Sequence, residues 1–262
     1  MRLLFVGDVV GKPGRRAVVR HLPRLVDEER ADYVVVNVEN AAGGFGVTPE
    51  VLDELAELPI HCYTTGNHVW DKKEVGELFI REPRLLRPAN YPEGNPGRGV
   101  HVGETAGGVR VATIHLEGQV FMKNVDSPFR AAERLRAELP RDVRVVFVDF
   151  HAEATSEKQA LAHFLDGKVS AVVGTHTHVP TADERILAGG TAYLTDVGMT
   201  GPYDGVIGFK AERVLQRFLL QTPVSFEVAK RDVRLAAVLI DIDEASGRAR
   251  AIERRLVAAG EE

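Results

Sequence analysis

Carboxylate, amide and imidazole side chains recur in this chain at five places, each just beyond an apolar run. They are Asp8 in GDVVGKPG, Glu39 and Asn40 in VNVENAAGG, Asn67 in TTGNHVWD, His151 in VDFHAEA, and His176 and His178 in VVGTHTHVP. Such donors hold hard and borderline divalent cations. Two cations about 3.5–4 Å apart can clamp both the attacking and the leaving oxygen of an in-line phosphoryl displacement. The set points to two-metal hydrolysis of a phosphate ester, with no Ser or Cys nucleophile required.

Taken singly, each residue has a bland reading. A Gly-Asp after a strand is often a turn, and Glu39-Asn40 could solvate a loop. Asn67 could be a left-handed turn residue, and His151 a satisfied core histidine. His176-x-His178 is sharper, because alternate residues of an extended or turning segment can aim two imidazoles at adjacent ions. All five features fall at the ends of apolar runs, and that coincidence outweighs any one member.

The elements that must position them alternate along the chain. Apolar runs at 3–6, 33–38 and 60–65 read as strands, with helical patterns between them. Val18, Val19, Leu22, Leu25 and Val26 mark the first helix, with a kink or break expected at Pro23. Val51, Leu52, Leu55 and Leu58 mark the second, with Thr48 as its N-cap. Residues 71–100 are poor in pattern and rich in Pro, Gly and Asn, so an irregular excursion is expected there. Further strands are expected at 109–115, 143–150, 169–174, 193–195, 224–228 and 236–242. Helices are expected around 131–139, 156–165 and 211–219, and a hairpin-like turn at EASG. Strand–helix–strand repetition implies crossover units in a largely parallel sheet. One domain over 1–262 follows, with sandwiched mixed sheets flanked by helices. In open α/β sheets ligands collect beyond the carboxyl ends of the strands, which is where these donors fall.

Bulk properties narrow the class. Hydrophobic residues make up 44% and charged residues 27%, as in ordinary globular proteins. Net charge is −5 with no basic run, which argues against binding long nucleic acid but not against a small anion held by metals. The one cysteine, Cys62, lies in the apolar IHCYTT and reads as a core residue. MRLLFVGD runs straight into a Gly-Asp turn, so it reads as a strand and not a leader. No apolar run approaches the roughly 20 residues a bilayer requires, and the cytoplasm is expected.

The order GD, GNH, G-x-H-x-H resembles the calcineurin-type metallophosphoesterases. GDVVGKPGR, VNVENAAGGFGVT, TTGNHVWD, VDFHAEATSEKQA, VGTHTHVPTAD and TDVGMTGPYDGVIG resemble the bacterial YmdB-like phosphodiesterases over nearly the whole chain. The resemblance implies a four-layer α/β/β/α sandwich and hydrolysis of a small cyclic nucleotide such as 2′,3′-cyclic AMP. It implies two metal ions, iron ahead of manganese. One would take Asp8, Glu39, Asn40 and His178; the other would share Glu39 and add Asn67, His151 and His176. A hydroxide bridging them would attack, and His68 would protonate the leaving alkoxide, a task suited to an imidazole titrating near neutrality. Position 10 departs from the wider pattern, being Val where D-x-H is usual, and Glu39 stands where the wider group has Asp. Asn40 is the natural replacement ligand.

Diester preference rests on the resemblance. The donors alone would serve a phosphomonoester or a nucleic-acid end, or a regulatory protein that senses a nucleotide through its metals. No membrane is implied, and a symmetric homo-oligomer is the base-rate expectation. Among lesser candidates, His115 could line the pocket, and AAGGFG could turn backbone N–H groups toward phosphate. Asp149, Asp196 and Asp204 could orient neighbours.

Overall fold

The computed structural model describes residues 1–259. The first part of the chain comprises β1 (Arg2–Val6), α1 (Gly11–Glu29), β2 (Tyr33–Asn37), α2 (Pro49–Leu55), β3 (Cys62–Thr64), α3 (Val75–Arg81) and β4 (Leu85–Leu86). The middle comprises β5 (Val100–Glu104), β6 (Arg110–Glu117), α4 (Pro128–Glu138), β7 (Val145–His151), α5 (Thr155–Leu165), β8 (Ala171–Thr175), β9 (Arg185–Ile186) and β10 (Ala192–Leu194). The last part, β11 (Gly201–Pro202), α6 (Ala211–Leu220), β12 (Val233–Ile242) and β13 (Ala249–Ala258), returns to the first sheet.

The first sheet runs β11-β12-β1-β2-β3-β4, with β13 on β12; β1 to β4 are parallel and β12 lies antiparallel to β1. The second runs β5-β6-β7-β8-β10-β9, parallel from β6 to β10 with antiparallel edges. Leu3, Phe5, Tyr33, Val35 and Cys62 of the first sheet meet Val111, Val145, Phe147, Ala171 and Val173 of the second in one buried core. Phe5 and Phe147 touch across it at 4.9 Å between ring centroids. The opposite faces are covered by α1, α2 and α3 on the first sheet, and by α4 and α5 on the second. That is the expected four-layer α/β/β/α order, and Cys62 is fully buried in its middle.

Three local expectations are corrected. α1 does not break at Pro23 but continues through it, the proline sitting on the exposed side, where water can take the carbonyl that Pro leaves without a donor. Residues 224–228 form no strand; Val228 makes only an isolated bridge to Phe209, since no neighbouring strand offers a full edge. The excursion at 71–100 holds α3 and β4, whose buried Val75, Leu78, Phe79, Leu85 and Leu86 are too few to show a period. Thr48 takes the N-cap backbone position of α2 without a side-chain cap.

Candidate metal centre

Alternation along β6, β7 and β8 puts every second residue toward the first sheet. Those positions are apolar at the start of each strand and turn polar toward its end: Thr113, His115 and Glu117 on β6, Asp149 and His151 on β7, Thr175 on β8. All six are fully buried. Asn37 and Thr64 face them from β2 and β3, also fully buried. Register sets Glu117 beside His151 and His151 beside Thr175. The polar row is therefore the carboxyl-end margin of the inter-sheet core.

The seven expected ligands converge there. His151 Nε2 lies 2.6 Å from Glu39 Oε2, 3.0 Å from Asn67 Oδ1 and 3.1 Å from His176 Nδ1. Donor atoms of Glu39, His151 and His176 all fall within 4.8 Å of one another. Beside them, His178 Nε2 lies 3.3 Å from Asn40 Oδ1. Asp8 Oδ1 is 3.8 Å from His151 Nδ1, and Asp8 Oδ2 accepts the His176 N–H at 3.3 Å. His176 and His178 have φ of 100° and 65°, so the segment turns sharply and is not extended. Gly66 makes room for this closeness: a Cβ there would stand 2.4 Å from Glu39 Oε1 and 2.5 Å from His151 Nε2.

Proton positions show why a cation fits. Thr175 Oγ1 donates to Asp149 Oδ1 at 2.8 Å and lies 2.9 Å from His151 Nδ1. A hydroxyl has one proton, so His151 Nδ1 must donate, and Nε2 is the nitrogen turned toward Glu39, Asn67 and His176. His176 Nε2 lies 3.1 Å from the Glu153 carboxylate, which leaves Nδ1 as its lone pair. Glu39, Asn67 and His176 thus turn acceptor atoms toward His151 Nε2. The second group repeats the pattern. Asn40 Nδ2 donates to Gly44 O at 3.0 Å and His178 Nδ1 to Ile207 O at 2.9 Å, so Asn40 Oδ1 and His178 Nε2 meet acceptor to acceptor. Asp8 Oδ1 is buried without a hydrogen-bond partner. These oxygen and nitrogen donors suit two hard or borderline divalent cations.

The titrations express the same crowding. Burial disfavours a charged His151, but the Glu39 and Asp8 carboxylates outweigh it and raise its pKa to about 9, so Nε2 carries a proton toward Glu39 that a bound cation would replace. Burial alone would push Glu39 up; the facing His151 and the His68 N–H bring it well below the usual range. Asp8 is raised, chiefly by burial. His176 is lowered to about 3 by burial and the His151 charge, so its ring is neutral and free to ligate.

Supporting residues surround the centre, several without any signal in the sequence. Asn37 Oδ1 accepts the Glu39 N–H at 3.0 Å, and its amide donates to Asp149 Oδ2 at 3.1 Å. Buried Lys158 pairs with Asp196 at 2.7 Å, and Asp196 Oδ2 accepts both the N–H and the hydroxyl of Thr177. This pair shapes the turn between His176 and His178. Such partners hold ligating rings in place and tune the metal. His68 is half-buried; its Nδ1 lies 2.7 Å from Asp71 Oδ2, and Phe45 meets its ring edge-on at 4.9 Å. A His-x-x-Asp pair is readable in GNHVWD, but nothing in the sequence marks Glu153 or Thr175.

The lesser candidates divide. Asp149 and Asp196 do orient neighbours, whereas Asp204 pairs with Arg231 away from the centre. His115 lies beneath the site, 3.4 Å from Asp149, and is fully buried. In AAGGFG the N–H groups of Ala42, Gly43 and Gly44 are spent within the turn on Gly46 O, Ala41 O and Asn40 O. That turn aims Asn40.

Comparison with known proteins follows this geometry. The model of the family described as YmdB-like protein matches residues 4–255. The 2′,3′-cyclic-nucleotide 2′-phosphodiesterase of Bacillus subtilis (strain 168) is 49% identical over 257 residues, covering 98% of this chain and 97% of that one. A crystal structure of a hypothetical protein from Thermus thermophilus is 45% identical, covers 98% and 99% of the two chains, and superposes with a TM-score of 0.93. The structure of a protein described as a novel phosphatase from Mycoplasma pneumoniae is 35% identical, covers 98% and 93%, and has a TM-score of 0.92. Among the described residues no helix is long and apolar enough to cross a membrane.

Proposed function

This chain belongs to the YmdB-like family, and from that premise we propose that it hydrolyses a small phosphodiester, a 2′,3′-cyclic nucleotide, at a centre of two metal ions. Iron is the first expectation for the metals and manganese the second. Asp8, Glu39, Asn40 and His178 hold one ion; Glu39, Asn67, His151 and His176 hold the other. When bound, the ions supply a water acidic enough to attack at neutral pH and offset the charge growing on the phosphoryl oxygens.

The chain's own residues do the rest. Glu39 presents both oxygens in fixed directions, one tied by the His68 N–H and one facing His151. Asp71 accepts from His68 Nδ1 and holds the ring, so the proton at Nε2 is the one to pass to the departing ribose oxygen. General acid help of this kind is worth about 10²–10⁴ in rate.

The observation that carries this reading is the convergence of carboxylate, amide and imidazole donor atoms on two points, at the polar margin of the inter-sheet core. Diester preference is supported by the Bacillus subtilis relative's activity. A phosphomonoesterase is the second reading, favoured by the neighbour described as a phosphatase. Protein loaded anaerobically with iron or with manganese separates them, given 2′,3′-cyclic AMP, 3′,5′-cyclic AMP, an aryl diester and an aryl monoester. Turnover of 2′,3′-cyclic AMP supports the proposal, and turnover of the monoester alone replaces it. No turnover from protein holding two metals would favour a nucleotide sensor.

A further inference from the structure

The connection from β6 to α4 carries an aromatic residue that neither the core nor the turn explains. Phe121 is 89% exposed, and its φ is 62°. The left-handed region is unfavourable for a bulky side chain, and a glycine there would be relaxed. The loop's own packing anchor is Val125, which is buried in the core beneath α1 to α3. Strain held in place beside a site is grounds for asking what the residue does.

The loop is fastened on both sides of Phe121. Gly118 N donates to His151 O at 3.0 Å. The N–H groups of Gln119 and Val120 take the two oxygens of Glu157 at 2.9 and 3.2 Å. Met122 N donates to Gln119 O, and the Gln119 amide closes the loop on Val125 O at 2.7 Å. Lys123 Nζ donates to Asn67 O. The two outer attachments are thus carbonyls of His151 and Asn67, whose side chains meet at 3.0 Å. Three residues from one attachment and two from the other, Phe121 Cα lies within roughly 10 Å of Gly118 Cα, at about 3.3–3.6 Å of reach per residue. A loop fastened to the backbones of two expected ligands therefore carries a bare aromatic side chain within roughly 10 Å of one attachment, with an ammonium two residues on.

A cyclic nucleotide presents matching chemistry, with a charged phosphate at one end and a flat base at the other. Base–aromatic stacking is tolerant of base identity and contributes usefully to affinity. We propose that Phe121 is the platform on which the substrate's nucleobase stacks, making it a residue that selects nucleotides over simple phosphodiesters. The proposal rests on the phosphodiesterase reading above, and the test separates the two.

Wild type, Phe121→Ala and Phe121→Trp are compared on 2′,3′-cyclic AMP and on the 2′,3′-cyclic phosphate of methyl riboside, which lacks a base. For Phe121→Ala, KM for the nucleotide rises about tenfold, in line with stacking on one ring, with kcat within about twofold. The riboside constants stay unchanged, and Phe121→Trp restores the nucleotide KM. A KM that does not move, or one that moves equally for both substrates, overturns the platform. If wild type hydrolyses neither compound, the phosphodiesterase reading falls, and equilibrium dialysis of adenosine 3′-phosphate on metal-loaded protein decides the platform alone. Binding weakened in Phe121→Ala and restored in Phe121→Trp upholds it; equal binding, or none by wild type, overturns it.

Discussion

The backbone N–H of His68 donates to Glu39 Oε1 at 2.7 Å, so the expected general acid fixes one oxygen of the carboxylate expected to serve both metals. The other oxygen, Oε2, lies 2.6 Å from His151 Nε2. Glu39 and His68 follow strands of the first sheet, and His151 ends a strand of the second. One carboxylate therefore joins the two sheets where their shared core becomes polar.

Glu39→Gln tests that joint. The amide has the same shape but no charge, and its NH2 group must face either the His68 N–H or His151. Both metal occupancies should fall together, with activity, while far-UV circular dichroism stays that of wild type. Elemental analysis after gel filtration reads the outcome. Two metals per chain retained in the variant would remove the shared-ligand assignment.

His68→Ala should leave metal content intact and lower kcat by about 10²–10⁴-fold. Asp71→Asn is the gentler companion: the introduced amide can still reach the ring but holds it without charge, so a loss of about tenfold is expected. Metal content must stay at the wild-type level in both. An unchanged kcat for His68→Ala takes the residue out of the chemistry, and a metal loss instead would make it structural.

How much of this was readable depends on the kind of signal. Asp8, Glu39, Asn67, His151 and His176 each follow an apolar run, and parallel strands must bring such ends together, so their meeting was legible. Glu153 was not, because its role lies in one contact with His176 Nε2 that no spacing encodes. Thr175 and Asn37 look like ordinary strand residues; only register across β7–β8 and across the two sheets gives them partners. α3 and β4 escaped because seven and two residues carry no period, and Pro23 misled because a helix tolerates it on a wet face. The 224–228 run has strand composition, but composition cannot say whether an edge is available.

Glu29 and Arg255 give a pH signature remote from the centre. The Arg255 guanidinium, at 2.5 Å, hydrogen-bonds Glu29 and holds its carboxyl below the usual range. A lowered folded pKa means the pair's stabilisation is present above the unfolded value of about 4.3 and is lost as pH falls through the folded one. Both side chains are partly solvated, so screening limits the pair to about 0.5–1 kcal/mol. Urea titrations of wild type and Arg255→Ala should differ by that amount at pH 7 and converge as the pH falls below the unfolded value and through the folded one. A gap that is constant across this range would assign the effect to packing and not to charge.

Thr175 is the sharpest test of the proton argument. Its hydroxyl gives its proton to Asp149 and receives that of His151 Nδ1, which is what makes Nε2 the nitrogen turned to the other expected ligands. Thr175→Val keeps the shape and removes both bonds, leaving Asp149 without one of its donors in a fully buried place. Stability should drop by about 1–3 kcal/mol from the unsatisfied group. Metal affinity, measured by chelator competition, should fall about 10–100-fold, the usual effect of removing such a support. Thr175→Ser restores the hydroxyl without the methyl and should recover affinity even where it does not recover stability. That split matters, because a merely structural threonine would lose both together. Wild-type affinity in Thr175→Val would mean His151 chooses its tautomer without this relay.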